Sequence, residues 1–154
     1  ILKGCSGSGK STWTKTNFLN IVTHIRSADH YFIDEQGNYN FDASKLNAAH
    51  EKCWRFYCWD CLGLYSNPDI YRDEHIIVDN TNTNLLDYLP YIIFAQGLQL
   101  PVTIVEFTTT PDIAIPRNIH KVPAATIERQ YKQLIDPQNQ LPKRFHEGVS
   151  FIKI

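Results

Sequence analysis

The apolar positions switch between helical and alternating spacing along the chain, and the switches predict its elements. Ile1-Leu2-Lys3 reads as the stub of a first strand. Ser11 to Val22 carries Trp13, Phe18, Leu19 and Val22 at near-helical spacing, which predicts a helix. His24 to Asp29 is short and β-compatible, ending in polar residues. Tyr31 to Phe41 is aromatic, with Gly37-Asn38 at its middle like a hairpin turn. Asp42 stands where it can cap a helix from about Ala43 to Tyr65, stopped by Asn67-Pro68. His75-Ile76-Ile77-Val78-Asp79 and Val102 to Phe107 are apolar runs of the buried-strand type. Between them, Asn84 to Gln96 predicts a helix closed by Gly97, and Pro90 inside it implies a late start or a kink. Pro111 to Asn118 and Ala124 to Ile135 predict two short helices, separated by Val122-Pro123. Asp136 to Pro142 reads as a polar turn, and Val149 to Ile154 as a last strand. Strands alternating with helices predict an α/β fold: a three-layer sandwich on a mostly parallel sheet of four or five strands. All 154 residues are expected in one domain, with 111–135 as a small helical lid.

Composition adds exclusions. The net charge of −1 gives no global basic field for nucleic acid or a membrane surface, so any polyanion site must be local. No apolar run approaches a membrane span, so no membrane partner is expected. The chain has no Met and begins inside a strand, which reads as a piece of a longer protein. Four cysteines, one of them inside a glycine-rich loop where a disulfide would obstruct ligands, fit a reducing, intracellular setting, cytoplasmic or nuclear.

The chemistry begins at Gly4-Cys5-Ser6-Gly7-Ser8-Gly9-Lys10-Ser11-Thr12, which spells the G-x-x-x-x-G-K-S phosphate loop, or P-loop. Its glycines allow torsions that turn consecutive N–H groups toward a phosphate, and the following helix points its positive end the same way. Gly4, Ser6, Gly7, Ser8, Gly9, Lys10, Ser11 and Thr12 are therefore the expected contacts of a nucleoside triphosphate, ATP by preference. Lys10 supplies a mobile charge for the outer phosphates, and the Ser11 hydroxyl is placed to ligate Mg2+. The fold expected from this motif is that of the P-loop NTPases, in their nucleotide-kinase-like form.

In an open parallel sheet, ligands gather at the carboxyl ends of the strands. Two further stretches end predicted strands in polar residues: Ser27-Ala28-Asp29 and Asp79-Asn80-Thr81-Asn82-Thr83. Asp79 resembles an acid that holds Mg2+ directly or through water; the plain alternative is a cap or turn Asp. Asn80, Thr81 and Asn82 offer amides and a hydroxyl for orienting substrate. Asp29 is either a general base for an acceptor hydroxyl or a cap. Arg117, Lys121 and Arg129 fall in the predicted lid, Arg117 being the preferred clamp on the transferring phosphate.

Gly4 to Thr12, Ser27-x-Asp29, Val78-Asp79-Asn80-Thr81-Asn82 and Arg117-Asn118-Ile119-His120 occur in the order seen in polynucleotide 5′-hydroxyl kinases. That family includes the phage polynucleotide kinase and the NEDD4-binding-protein-2-like kinase domains. The second branch is the more similar, through Gly37-x-Tyr39-x-Phe41 and the Arg-Asn-Ile-His run. The resemblance spans roughly residues 1–132. It implies that Lys10 and Ser11 bind nucleotide and Mg2+, Asp29 activates the acceptor 5′-hydroxyl, Asp79 supports the metal and Arg117 clamps phosphate. His30-Tyr31-Phe32 stands where the phage enzyme has an arginine for the acceptor strand.

The expected function is transfer of the ATP γ-phosphate to a 5′-hydroxyl of RNA or DNA. Two alternatives stand beside it: a small-molecule kinase of the same fold, acting on a nucleoside, sugar or antibiotic, and a nucleotide-binding adaptor without turnover. No phosphatase motif of the Asp-x-Asp-x-Thr type is present. His50, Cys53, Cys58 and Cys61 invite a metal reading, but positions 50, 53/54, 57, 61 and 64 form one helical stripe, which reads as core packing. Tyr31 to Phe41 is either a packed hairpin or an acceptor lining. Lys143, Arg144 and His146 are a basic patch or an ordinary solvated surface.

Overall fold

The computed structural model describes residues 1–19, 21–71 and 73–154. In chain order the elements are β1 (Leu2–Lys3), α1 (Lys10–Asn17), β2 (Thr23–Arg26), α2 (Leu46–Ser66), β3 (His75–Val78), α3 (Leu85–Gly97), β4 (Val102–Glu106), α4 (Pro111–Ala114), α5 (Ala124–Ile135) and β5 (Val149–Lys153). The fold is α/β, and every named strand pairing is parallel. The strands form two hydrogen-bonded groups, β1-β4-β5 and β2-β3, where the sequence predicts one continuous sheet. These groups lie in two compact units, residues 1–19 with 81–154 and residues 20–80. None of the described helices is long and apolar enough to cross a membrane.

In the first unit, β4 lies between β1 and β5, with Lys3 level with Glu106 and Glu106 level with Lys153. Tyr88, Ile92 and Ala95 of α3 pack on Val102 and Ile104 of β4 to make its main apolar core. The register leaves two lysines against one acid: Lys3 Nζ is 3.2 Å and Lys153 Nζ 3.3 Å from Glu106 carboxylate oxygens. Lys3 is buried, which lowers its pKa, and Glu106 opposes that shift. Pro90 neither delays nor ends α3. Asn84 caps the helix at the residue before Leu85, and its own N–H donates to Asp87 Oδ2, so the first turn is satisfied from both sides.

In the second unit, α2 packs on β2 and β3 through Cys53, Tyr57 and Cys61 at four-residue spacing. Its stripe begins at buried Ala49; His50, expected within it, is exposed. A short 3-10 turn, Ala43–Lys45, precedes α2, and Asp42 caps that turn rather than the α-helix itself. Arg26 of β2 forks onto both carboxylate oxygens of Asp60 on α2, with its outer nitrogen 2.8 Å from Oδ1.

Several boundaries differ from the pattern. The helix expected over Ser11–Val22 closes at Asn17, and Leu19 and Val22 are exposed; Asn20, inside the expected span, is outside the described residues. The second strand stops at Arg26, and Asp29 lies in a 3-10 turn over Ala28–Phe32. The aromatic hairpin is reduced to one antiparallel bridge, Ile33 to Tyr39. Asp34 explains the reduction: its carboxylate accepts from the N–H groups of Gln36 and Asn38 and from the Asn40 amide, building a side-chain turn in place of a strand ladder. Of the helix expected over Pro111–Asn118, only Pro111–Ala114 is α-helical.

Candidate functional site

The glycine-rich loop leaves β1 and enters α1 through two left-handed residues, Gly7 at φ 80° and Gly9 at φ 97°. A Cβ on Gly7 would lie 2.2 Å from the Ala114 carbonyl oxygen, and one on Gly4 would lie 2.9 Å from Phe107 Cβ. Both positions exclude a side chain by close approach, whereas Gly9 faces open space and is set by torsion alone. Neighbouring elements hold the loop at several points. The Ser6 N–H donates to Gln130 Oε1 of α5 at 2.9 Å, and Thr109 Oγ1 donates to the Ser8 carbonyl at 3.1 Å. Under the loop, Cys5 is fully buried against Ala114 and Ile127. Burial pushes its thiol pKa up, and the nearby Lys10 charge opposes this.

Lys10 is only 8% exposed, although a lysine is normally a surface residue. Its Nζ donates to the carbonyl oxygens of Gly4 and Cys5, both at 2.9 Å. The ammonium is thus seated in the loop by backbone oxygens. Ser11 and Thr12 are exposed on the first turn of α1.

The stretch after β3 runs beside the start of this loop. Gly4 N–H donates to the Thr81 carbonyl at 2.8 Å, and Asn82 Nδ2 donates to the Leu2 carbonyl at 2.7 Å. Asn82 is buried and left-handed at φ 48°, so its amide serves the backbone of β1. Thr83 Oγ1 reaches Gln133 Oε1 of α5. Arg117 lies beyond α4 in the same unit, exposed, as are Lys121 and Arg129. The turn between α4 and α5 is closed by Asn118 Nδ2, which donates to the Val122 carbonyl at 2.7 Å.

Asp29 and Asp79 belong to the second unit. Parallel pairing sets Arg26 level with Val78, so two residues further Ala28 falls level with Asn80. Asn80 Oδ1 accepts the Ala28 N–H at 2.9 Å, and its Nδ2 points to Cys53 Sγ at 3.5 Å. Ser27 Oγ accepts the Asp29 N–H, capping the turn. Exposed Asp29 then takes a hydrogen bond from the Tyr39 hydroxyl on Oδ1 at 3.0 Å. Burial, and then the Asp29 charge, push the Tyr39 pKa up to about 12, so the phenol stays a donor at neutral pH. Asp79 is half-buried just past β3, its N–H donating to the Arg26 carbonyl at 2.9 Å.

The residues that sequence reasoning passes over are Gln130, Thr109 and the hydrogen bond from Tyr39. Gln130 carries no local motif and stands 124 residues from the N–H it accepts. Asn80 was legible as a polar strand end, but its hold on Ala28 follows only from the register.

No family model matches the chain. Human NEDD4-binding protein 2 is 32% identical over 134 residues, covering 84% of this chain. The chain spans about 7% of that protein's length, so the similarity concerns one stretch of a much larger relative.

Proposed function

We propose that the chain is a kinase that transfers the γ-phosphate of ATP, with Mg2+, to a 5′-hydroxyl of RNA or DNA. The observation that carries this reading is the loop over residues 4–10: two left-handed glycines, two positions closed to any side chain, and a lysine seated on its carbonyls. A backbone shaped in this way beside a helix start suits a chain of phosphates, because N–H groups and the helix dipole both favour anions there. Lys10 would exchange its carbonyl partners for phosphate oxygens.

Ser11, an exposed residue of the first turn of α1, and Asp79, taken from the sequence pattern, are the oxygen donors assigned to Mg2+, a hard cation that prefers such ligands. When bound, Mg2+ neutralises charge on the phosphates. Asp29 accepts the proton of the attacking hydroxyl as its oxygen bonds to the γ-phosphorus, while the bond from that phosphorus to the β,γ-bridging oxygen breaks and ADP leaves. Tyr39, fixed on Oδ1, leaves Oδ2 of Asp29 for that proton. Thr81 is assigned to substrate, and Asn80 acts by holding Ala28 and so the turn that carries Asp29. Arg117, exposed beyond α4, is the proposed clamp.

His30-Tyr31-Phe32 brings no cation directly after Asp29, which favours a small-molecule acceptor as the second reading. The test is transfer from γ-labelled ATP to a 5′-hydroxyl oligonucleotide, run beside a nucleoside. Label on the oligonucleotide is expected. Asp29→Asn is expected to lower the rate at least about 100-fold, the scale of a positioned acid or base, and Lys10→Ala to abolish turnover. Label on the nucleoside alone would establish the second reading; ATP binding with no transfer to either would make the chain an adaptor.

A further inference from the structure

The buried stripe of α2 accounts for one side of that helix. Another side, about 130° around it at 100° per residue, carries Lys52, Arg55, Phe56 and Trp59 at i, i+3, i+4 and i+7. With Tyr31 these residues line a groove of about 330 Å3 within the second unit. Ala48 and Glu51 complete it. Trp59 is 75% exposed and has no ring, hydrogen-bond or ionic partner among the described residues. Phe56 and Tyr31 are exposed as well. Phe56 carries the Arg26 guanidinium 5.4 Å from its ring centre and Tyr31 packs edge-on against Phe32 at 5.4 Å, so Trp59 is the ring that packing leaves unexplained.

The cations point to the occupant. Lys52 Nζ sits 5.5 Å from the Tyr31 ring centre and 6.0 Å from that of Phe56, without an ion pair among the described residues. Arg55 makes no ion pair either, although Glu51 lies one helical turn before it. Two cations against one acid give the groove a net positive charge in a chain whose overall charge is −1. Aromatic rings beside cations that make no ion pair among the described residues suit a single strand, whose bases offer stacking faces and whose phosphates repeat along the backbone. The groove also adjoins the proposed reaction site within this unit: Tyr31 follows Asp29 by two residues in the same 3-10 turn, which packs on α2.

We propose that this groove holds single-stranded nucleic acid, with a base stacked on Trp59 and phosphates on Lys52 and Arg55, so that the strand runs from α2 toward the turn of Asp29. As the grip on an acceptor strand it rests on the kinase reading; as a binding site it stands apart from it.

The test is binding of a 3′-fluorescein oligothymidylate by anisotropy over a salt series, with its duplex and a polyglutamate peptide as comparisons. The single strand is expected to bind more tightly than either. Trp59→Ala should weaken it about tenfold, within the range for one stacked base. Lys52→Ala with Arg55→Ala should reduce the salt slope by about 1.4, for two phosphate contacts on a single strand. These side chains are exposed, so unchanged circular dichroism is expected, and Lys52→Glu with Arg55→Glu gives an independent variant. Unchanged binding in all variants, or equal binding of the peptide, overturns the proposal. Phosphorylation with the oligonucleotide KM unaltered by the variants would overturn the groove as the acceptor grip while leaving the kinase reading intact. Weakened binding in the variants, together with no phosphate transfer by the unmodified chain, would support the groove and remove the kinase.

Discussion

Gly7 and Gly9 share a left-handed backbone for different reasons, and the difference is measurable. At Gly9 a Cβ meets nothing within 4 Å, so Gly9→Ala should cost only the torsional term, about 1–2 kcal/mol. At Gly7 the same term adds to a clash at 2.2 Å with a backbone oxygen of Ala114, which cannot rotate away. Gly7→Ala should therefore cost at least about twice as much by urea denaturation. Equal losses would show that α4 yields freely to the loop. Such a loop is legible in the sequence because its torsions are decided within a few residues. What seats it is not legible: the Gln130 and Thr109 side chains reach it from segments far along the chain.

Among the elements, α3 shows why a proline within a periodic segment misleads. Pro90 lacks the N–H that would bond four residues back, at exposed Leu86 near the helix start, where solvent can serve instead. The reciprocal cap at Asn84 and Asp87 then secures the first turn. Asn84→Ala should destabilise the chain by about 1 kcal/mol, read as a lower thermal midpoint; no change would mean that the cap is redundant. In α2 the core stripe is visible from spacing at Cys53, Tyr57 and Cys61, and only its first position differs, because His50 and Ala49 are both compatible with a helical period. Packing against Ala28 and Phe32 of the 3-10 turn selects Ala49.

At the level of the whole molecule, alkaline pH tests the tie between the aromatic turn and Asp29. Tyr39 rises from 10.0 to about 12 in the fold, so its stabilising contribution is complete below pH 10 and is lost as pH climbs toward 12. Cys61, pushed up to about 11 by burial, acts with the same sign from pH 9 to 11. A Tyr39→Phe variant keeps Cys61 and lacks the tyrosine proton. Its urea midpoint should fall less steeply between pH 10 and 12 than that of the unmodified chain. Parallel curves would show that Tyr39, through its burial and its bond to Asp29, carries no linkage.

By itself the sequence determined the α/β alternation, the position of nearly every strand and the glycine-rich loop, since each depends on torsions and periodicities within a dozen neighbouring residues. Tertiary structure decided which strands bond, and hence that Asn80 holds Ala28 and that Lys3 shares Glu106 with Lys153. It also decided that Asn82 serves the β1 backbone and that Tyr39 orients Asp29. Each of these is a contact between residues separated along the chain, whose register is set by the burial of whole elements. No local pattern can encode it.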